Sequence, residues 1–183
     1  DMRSDETRRK YGLLCGACGI FLNLLLFALK LFVGTLTGSV AVTADAVNNI
    51  SDAGSSVVTM VGFRLAGKKP DPEHPFGHGR IEYISGLIVA MLIFVMGFEL
   101  LSSSVNAIIE PKPTELSIAS VIILAVSVVI KLYMFFYNRS VGKKIGSAAM
   151  VATASDSIGD AIATLAVLVS LAVMHFTDWM IDG

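Results

Sequence analysis

The stretch Thr43-Ala-Asp-Ala-Val-Asn-Asn-Ile-Ser-Asp-Ala-Gly-Ser-Ser56 places two carboxylates and two carboxamides inside an apolar segment long enough to cross a bilayer. On a helix, Asp45 and Asn49 stand four apart and Asp52 three further on, so all three project from one face. Ionisable groups within a membrane span are costly unless paired, hydrated or metal-bound, and so point to function. A second stretch, Thr153-Ala-Ser-Asp-Ser-Ile-Gly-Asp160, again sets two carboxylates four apart. Two polar stripes on two spans are the material of an intramembrane site.

Around these stretches the chain is apolar. Of 183 residues, 54% are hydrophobic and 16% charged, against about a quarter charged in a soluble domain. An all-α integral membrane protein is expected. Apolar runs of about 20 residues or more fall at about Tyr11–Val33, Val40–Leu65, Ile81–Ile109, Leu116–Tyr137 and Ile145–Phe176. Short connectors make successive spans antiparallel neighbours in a bundle. The first ten residues are polar and the run after them is too long for a secretory h-region, so it reads as a signal-anchor span. A sixth span is expected to begin near Asp178, in a chain that reads as truncated.

Basic residues orient the bundle. Arg3, Arg8, Arg9 and Lys10 precede the first span. Arg64, Lys68, Lys69 and Arg80 lie between the second and third, and Arg139, Lys143 and Lys144 between the fourth and fifth. These are eleven of fourteen Lys and Arg. Positive-inside bias therefore puts residues 1–10 in the cytoplasm as a tail. Lys30 and Lys131 stand near expected span ends, where snorkelling to the interface explains them. Cys15 and Cys18 form a C-x-x-C inside the first span with no second pair to complete a metal site, and read as small packing residues. Gly12, Gly16 and Gly19 similarly read as a surface for close helix approach.

Asp45 and Asn49 of span two with Asp156 and Asp160 of span five could surround one point with oxygen ligands. Three close carboxylates cannot all stay ionised without protons or a cation. Oxygen-only ligation suits hard cations such as manganese, magnesium or calcium. Using aspartates only as inter-helix glue is the costlier explanation. Asp52, about 10 Å along the helix from Asp45, could line a pathway or pair with a basic group, and Asn48 reads as a packing hydrogen bond. In the connector Asp71-Pro-Glu-His-Pro-Phe-Gly-His-Gly-Arg-Ile-Glu82, His74 and His78 with Asp71 could bind a metal. The same residues could instead form a structured turn pairing with Glu73 or Glu82. Glu99, inside span three, is a structural hydrogen-bonding group or a proton-relay candidate.

These residues resemble the cation diffusion facilitator family of divalent-metal exporters, over essentially the whole chain from Tyr11. The matches are D-x-x-x-[DN] in span two (Asp45, Asn49), H-x-F-G-H-G-[KR]-x-E in the connector (His74 to Glu82) and the paired ligands of span five (Asp156, Asp160). The resemblance implies a homodimer of six-helix protomers in the inner or plasma membrane, alternating access, metal/proton antiport and a cytoplasmic C-terminal domain absent from this chain. It also implies a secondary metal site at Asp71, His74 and His78. Zinc-type members resemble H-x-x-x-D on span five. Here Asp156 takes the histidine position and Asn49 stands on span two, which resembles the bacterial manganese-type branch.

The expected function is export of Mn²⁺ in exchange for protons, with Zn²⁺, Fe²⁺ and Cd²⁺ as alternative cargoes, in a chain that is not an enzyme and has no nucleic-acid partner. Remoter alternatives are a passive divalent channel and an intramembrane aspartyl protease. The latter needs neither Asn49 nor the histidine connector.

Overall fold

A computed structural model describes residues 5–37, 40–109 and 117–177. Their regular structure is all α-helical: α1 (Asp5–Thr37), α2 (Val40–Ala66), α3 (Ile81–Ile109), α4 (Ile118–Ile145) and α5 (Ala148–Thr177). The shortest has 27 residues and the longest 33, so each runs about 40–50 Å and exceeds a hydrocarbon core of about 30 Å. Four contain segments long and apolar enough to cross a membrane: Glu6–Thr37, Ile81–Glu99, Ile118–Ile145 and Ala148–Val169. α2 matches them in length but carries Asp45, Asp52 and Arg64. It packs along α1 on one side and α3 on the other. The expected start of a sixth span lies outside the described residues.

Two helix limits differ from those read off hydropathy. α1 begins at Asp5, within the expected tail, and α4 continues from the apolar run through Arg139, Lys143 and Lys144. Hydropathy marks where the bilayer stops, whereas a helix ends where its backbone is broken. For α4 that place is Gly146, at φ 68°, in the left-handed region that glycine enters without a Cβ penalty. The Ser147 amide then closes the end on the Gly142 carbonyl at 2.9 Å.

The helices form a ring in the order α1–α2–α3–α5–α4, closed by α4 against α1, with α2 and α5 touching across it. Chain neighbours are bundle neighbours with one exception: α3 and α4 hardly meet, because α3 packs on α2 and α5. The tightest seam is α1 on α2, where a Cβ on Gly16 would fall 2.6 Å from Cβ of Met60. Hydroxyls inside the bundle bond back to carbonyls one turn earlier, as Thr59 does to Ser55, Thr153 to Ala149 and Ser157 to Thr153. This satisfies them where no bulk water reaches.

Two apolar clusters lie at opposite ends of the bundle. One joins Cys15, Phe63, Ile145 and Met150, and the other Val42, Ile123 and Leu124 with Val33, Val167 and Leu168 around them. Between them, by helix register, runs a buried polar layer: Asn23 and Lys30 of α1, Asn49 and Asp52 of α2, Ser127 and Lys131 of α4, and Asp156 of α5. The outer surface is apolar, with Phe21, Phe32, Phe94 and Phe98 exposed as befits lipid contact.

Candidate functional site

α2 and α5 each bring an i, i+4 pair to the polar layer. Carboxylate oxygens of Asp52, Asp156 and Asp160 lie within 4.8 Å of one another. Asp52 is 2% exposed and Asp156 8%, with Asp160 partly buried. The Asn48 carboxamide joins them, its Nδ2 donating to Asp160 Oδ1 at 3.3 Å. Lys131, 2% exposed at the middle of α4, sits among these groups. Its Nζ donates to Asp52 Oδ2 and to Asp160 Oδ2, each at 2.6 Å. Asp52 Oδ1 is buried with no hydrogen-bond partner, leaving lone pairs free to take a cation.

The expected quartet is thus split. Asp156 and Asp160 fall in one cluster with Asp52, whereas Asp45 faces Lys30, with Nζ 2.8 Å from Oδ2. Asn49 turns its Nδ2 to the Asp45 carbonyl at 2.7 Å. Asp52, expected to line a pathway or pair with a basic group, pairs with Lys131 and lies within the cluster, and the hydrogen bond expected of Asn48 goes to Asp160 of that same cluster. Helical spacing could not choose between these registers, because 45/49 and 48/52 are both i, i+4 pairs on overlapping faces. Three residues rotate the face by only about 60° and shift it by about 4.5 Å.

Both intramembrane lysines correct the expectation of snorkelling. Lys30 is 1% exposed and Lys131 2%, and each is ion-paired within the bundle. Carboxylates inside a low-dielectric interior hold an ammonium more strongly than an interface can, once both charges are there. The apolar run of span four ends at Tyr137, close after Lys131, but the helix itself continues to Ile145, which puts Lys131 at its middle. Glu99, expected as a buried hydrogen-bonding or proton-relay group, is instead exposed on α3, because the helix turns that face outward.

On the side of the first apolar cluster, a small cleft is lined by Ser56, Thr59, Asn138 and Thr153 together with Cys15, Gly16 and Met150. Thr59 and Thr153 hydroxyls lie 3.4 Å apart across it. Cys15 is buried in the apolar cluster and both cysteines are unpaired thiols.

The connector brings together its three expected residues, with one ligand atom from each of Asp71, His74 and His78 within 4.8 Å of the others. Asp71 Oδ1 accepts the His74 amide at 2.7 Å and lies 3.2 Å from His74 Nδ1, while Oδ2 lies 3.5 Å from His78 Nε2. The His74 backbone N–H, then its side chain, hold the Asp71 carboxyl below its ordinary value. Gly77, at φ 79°, supplies the turn that folds the two rings to 4.5 Å between centroids. Glu82 pairs with neither histidine but with Arg8 of α1, at 2.7 Å.

Residues 17–183 match the family model described as the cation efflux transmembrane domain. The chain is 34% identical over 153 residues to the manganese efflux system protein MneS of Bacillus subtilis, covering 84% of this chain and 53% of that protein. It is 30% identical over 167 residues to the manganese efflux system protein MneP of the same organism, covering 91% and 54%. Magnetosome protein MamB of Magnetospira is 33% identical over 151 residues, covering 82% and 52%. The chain spans about half the length of these curated relatives.

Proposed function

Because the chain belongs to the cation efflux family, also called the cation diffusion facilitators, we propose that it is the membrane domain of a manganese exporter. Its cargo site is Asn48, Asp52, Asp156 and Asp160. The observation that carries this reading is the convergence of three carboxylates from α2 and α5 within 4.8 Å, buried between two apolar layers. Oxygen ligands without imidazole or thiolate favour a hard divalent ion. The names of two relatives, both manganese efflux proteins, support Mn²⁺ over Zn²⁺, Fe²⁺ and Cd²⁺. Asn48 contributes once its amide turns Oδ1 toward the ion, a rotation that exchanges its bond to Asp160.

The cycle follows from charge. Ligating carboxylates must be deprotonated, so binding metal releases whatever protons they hold, and protons from the far side compete the ion off. Asn48 stays neutral, leaving three groups to exchange protons. By positive-inside bias the α1 start, the histidine connector and the α4–α5 turn face the cytoplasm of a multi-pass cell-membrane protein. The ion then reaches the site past Ser56, Thr59, Asn138 and Thr153. The Lys30–Asp45 pair closes the opposite side. Asp71, His74 and His78 form a secondary metal site at the membrane surface, and the working unit is a homodimer.

The deciding experiment is Mn²⁺ uptake into proteoliposomes driven by a pH gradient, using the full-length exporter. Uptake should need the gradient and disappear with Asp52→Asn or Asp156→Asn, while Asp45→Asn retains it in folded protein. Uptake that survives both losses but fails in Asp45→Asn would move the site back to the other register. Flux indifferent to the proton gradient would indicate a channel.

A further inference from the structure

Lys131 holds a position that a cargo ion needs. Its Nζ bridges Asp52 Oδ2 and Asp160 Oδ2 at 2.6 Å each, against two of the three carboxylates that converge there. A divalent ion bound through the same oxygens would sit about 2–2.6 Å from them. It cannot do so with an ammonium in contact with both. We propose that Lys131 is a tethered competitor of the cargo, occupying the cation position between transport events and withdrawing when metal arrives, so that it limits how tightly the ion is held. This rests on the reading of Asn48, Asp52, Asp156 and Asp160 as the cargo site.

Two further observations support it. The first is charge balance. Three carboxylates, one ammonium and one divalent ion sum to zero, so the lysine can step aside within the layer without leaving excess charge in the membrane. The second is a place to go. Ser127 lies one turn back on the same face of α4, in the direction in which helical side chains lean. Its Oγ is fully buried and has no hydrogen-bond partner. The flexible four-carbon stem lets the ammonium exchange carboxylates for this hydroxyl without moving the helix. An exporter gains from such a competitor, because an ion bound by three buried carboxylates alone would leave slowly.

The test is equilibrium Mn²⁺ binding at one fixed pH to the purified chain, comparing wild type with Lys131→Met, Lys131→Gln, Lys131→Arg and Asp156→Ala. If the ammonium fills the position nine-tenths of the time, only a tenth of molecules are competent. Removing it should then tighten binding by about tenfold or more. Both neutral variants should show this, and Lys131→Arg should not. Neutral variants that bind no more tightly would overturn the proposal. Retention of binding in Asp156→Ala would instead overturn the cargo site itself.

Should neither neutral variant fold, wild-type protein labelled with ¹⁵N-lysine decides. The Lys131 ammonium resonance should shift or lose its protection at Cd²⁺ concentrations that block Mn²⁺ binding. A resonance unchanged at that occupancy would overturn the competitor.

Discussion

Asp45 and Asp52 share a helix and a charge, yet their surroundings give them different work. Asp45 neutralises Lys30, which is buried and has no other carboxylate within ion-pair distance among the described residues. Asp45→Asn should therefore cost stability, about 3 kcal/mol for stranding a buried ammonium, while folded protein still binds Mn²⁺. Asp52→Asn should do the reverse to function, abolishing binding by removing a carboxylate from the cluster. Thermal unfolding and Mn²⁺ titration on the same samples separate the two. Equal loss of binding in both variants would mean that the 45/49 register supplies ligands after all. Choosing between these aspartates lies beyond spacing, since an isolated α2 presents both pairs equally well. What separates them is which cation each meets, and both cations come from other helices.

The elements are held by small features with local signatures. Gly16 lets α1 approach α2 until Met60 fills the place of its missing side chain. Gly16→Ala should push the helices apart and cost about 1–3 kcal/mol in thermal unfolding. A neutral result would show that the seam has room. At the connector, Asp71 is the acceptor around which His74 and the chain turn. Its carboxyl is held below the ordinary value, so the carboxylate form is favoured in the folded loop. That contribution is complete above about pH 4 and fades as pH falls through the lower folded value. Amide exchange at His74 should accordingly stay slow to below about pH 4 and then quicken. Quickening at higher pH would remove Asp71 as the cause. Helix ends were the least legible part at this scale, because α4 runs on through basic residues to Gly146 and hydropathy does not register a backbone break.

For the molecule as a whole, the layered interior predicts how metal and stability are linked. Two apolar clusters hold the bundle at its ends, and the middle is held by charges that a cargo ion would join. Mn²⁺ should raise the unfolding free energy by about 2.7 kcal/mol at a hundred times its dissociation constant. A chelator should reverse this, and Asp156→Ala should not respond. Stabilisation that persists in Asp156→Ala would place the ion elsewhere, with the connector histidines next to be tested. Long apolar runs, costly aspartates at i, i+4 spacing and the His74–Glu82 motif were enough to establish a helical membrane bundle and its family, and to single out Asp156 and Asp160, which the bundle brings together with Asp52. Those features are local: they depend on what a residue costs in lipid and where it falls on its own helix. The partners of Asp45 and Asp52, the burial of Lys30 and Lys131, and the separation of α3 from α4 came from the packing of the described helices into a ring. A charge several helical turns or a whole helix away leaves no periodic trace, and it becomes a neighbour only when the bundle closes.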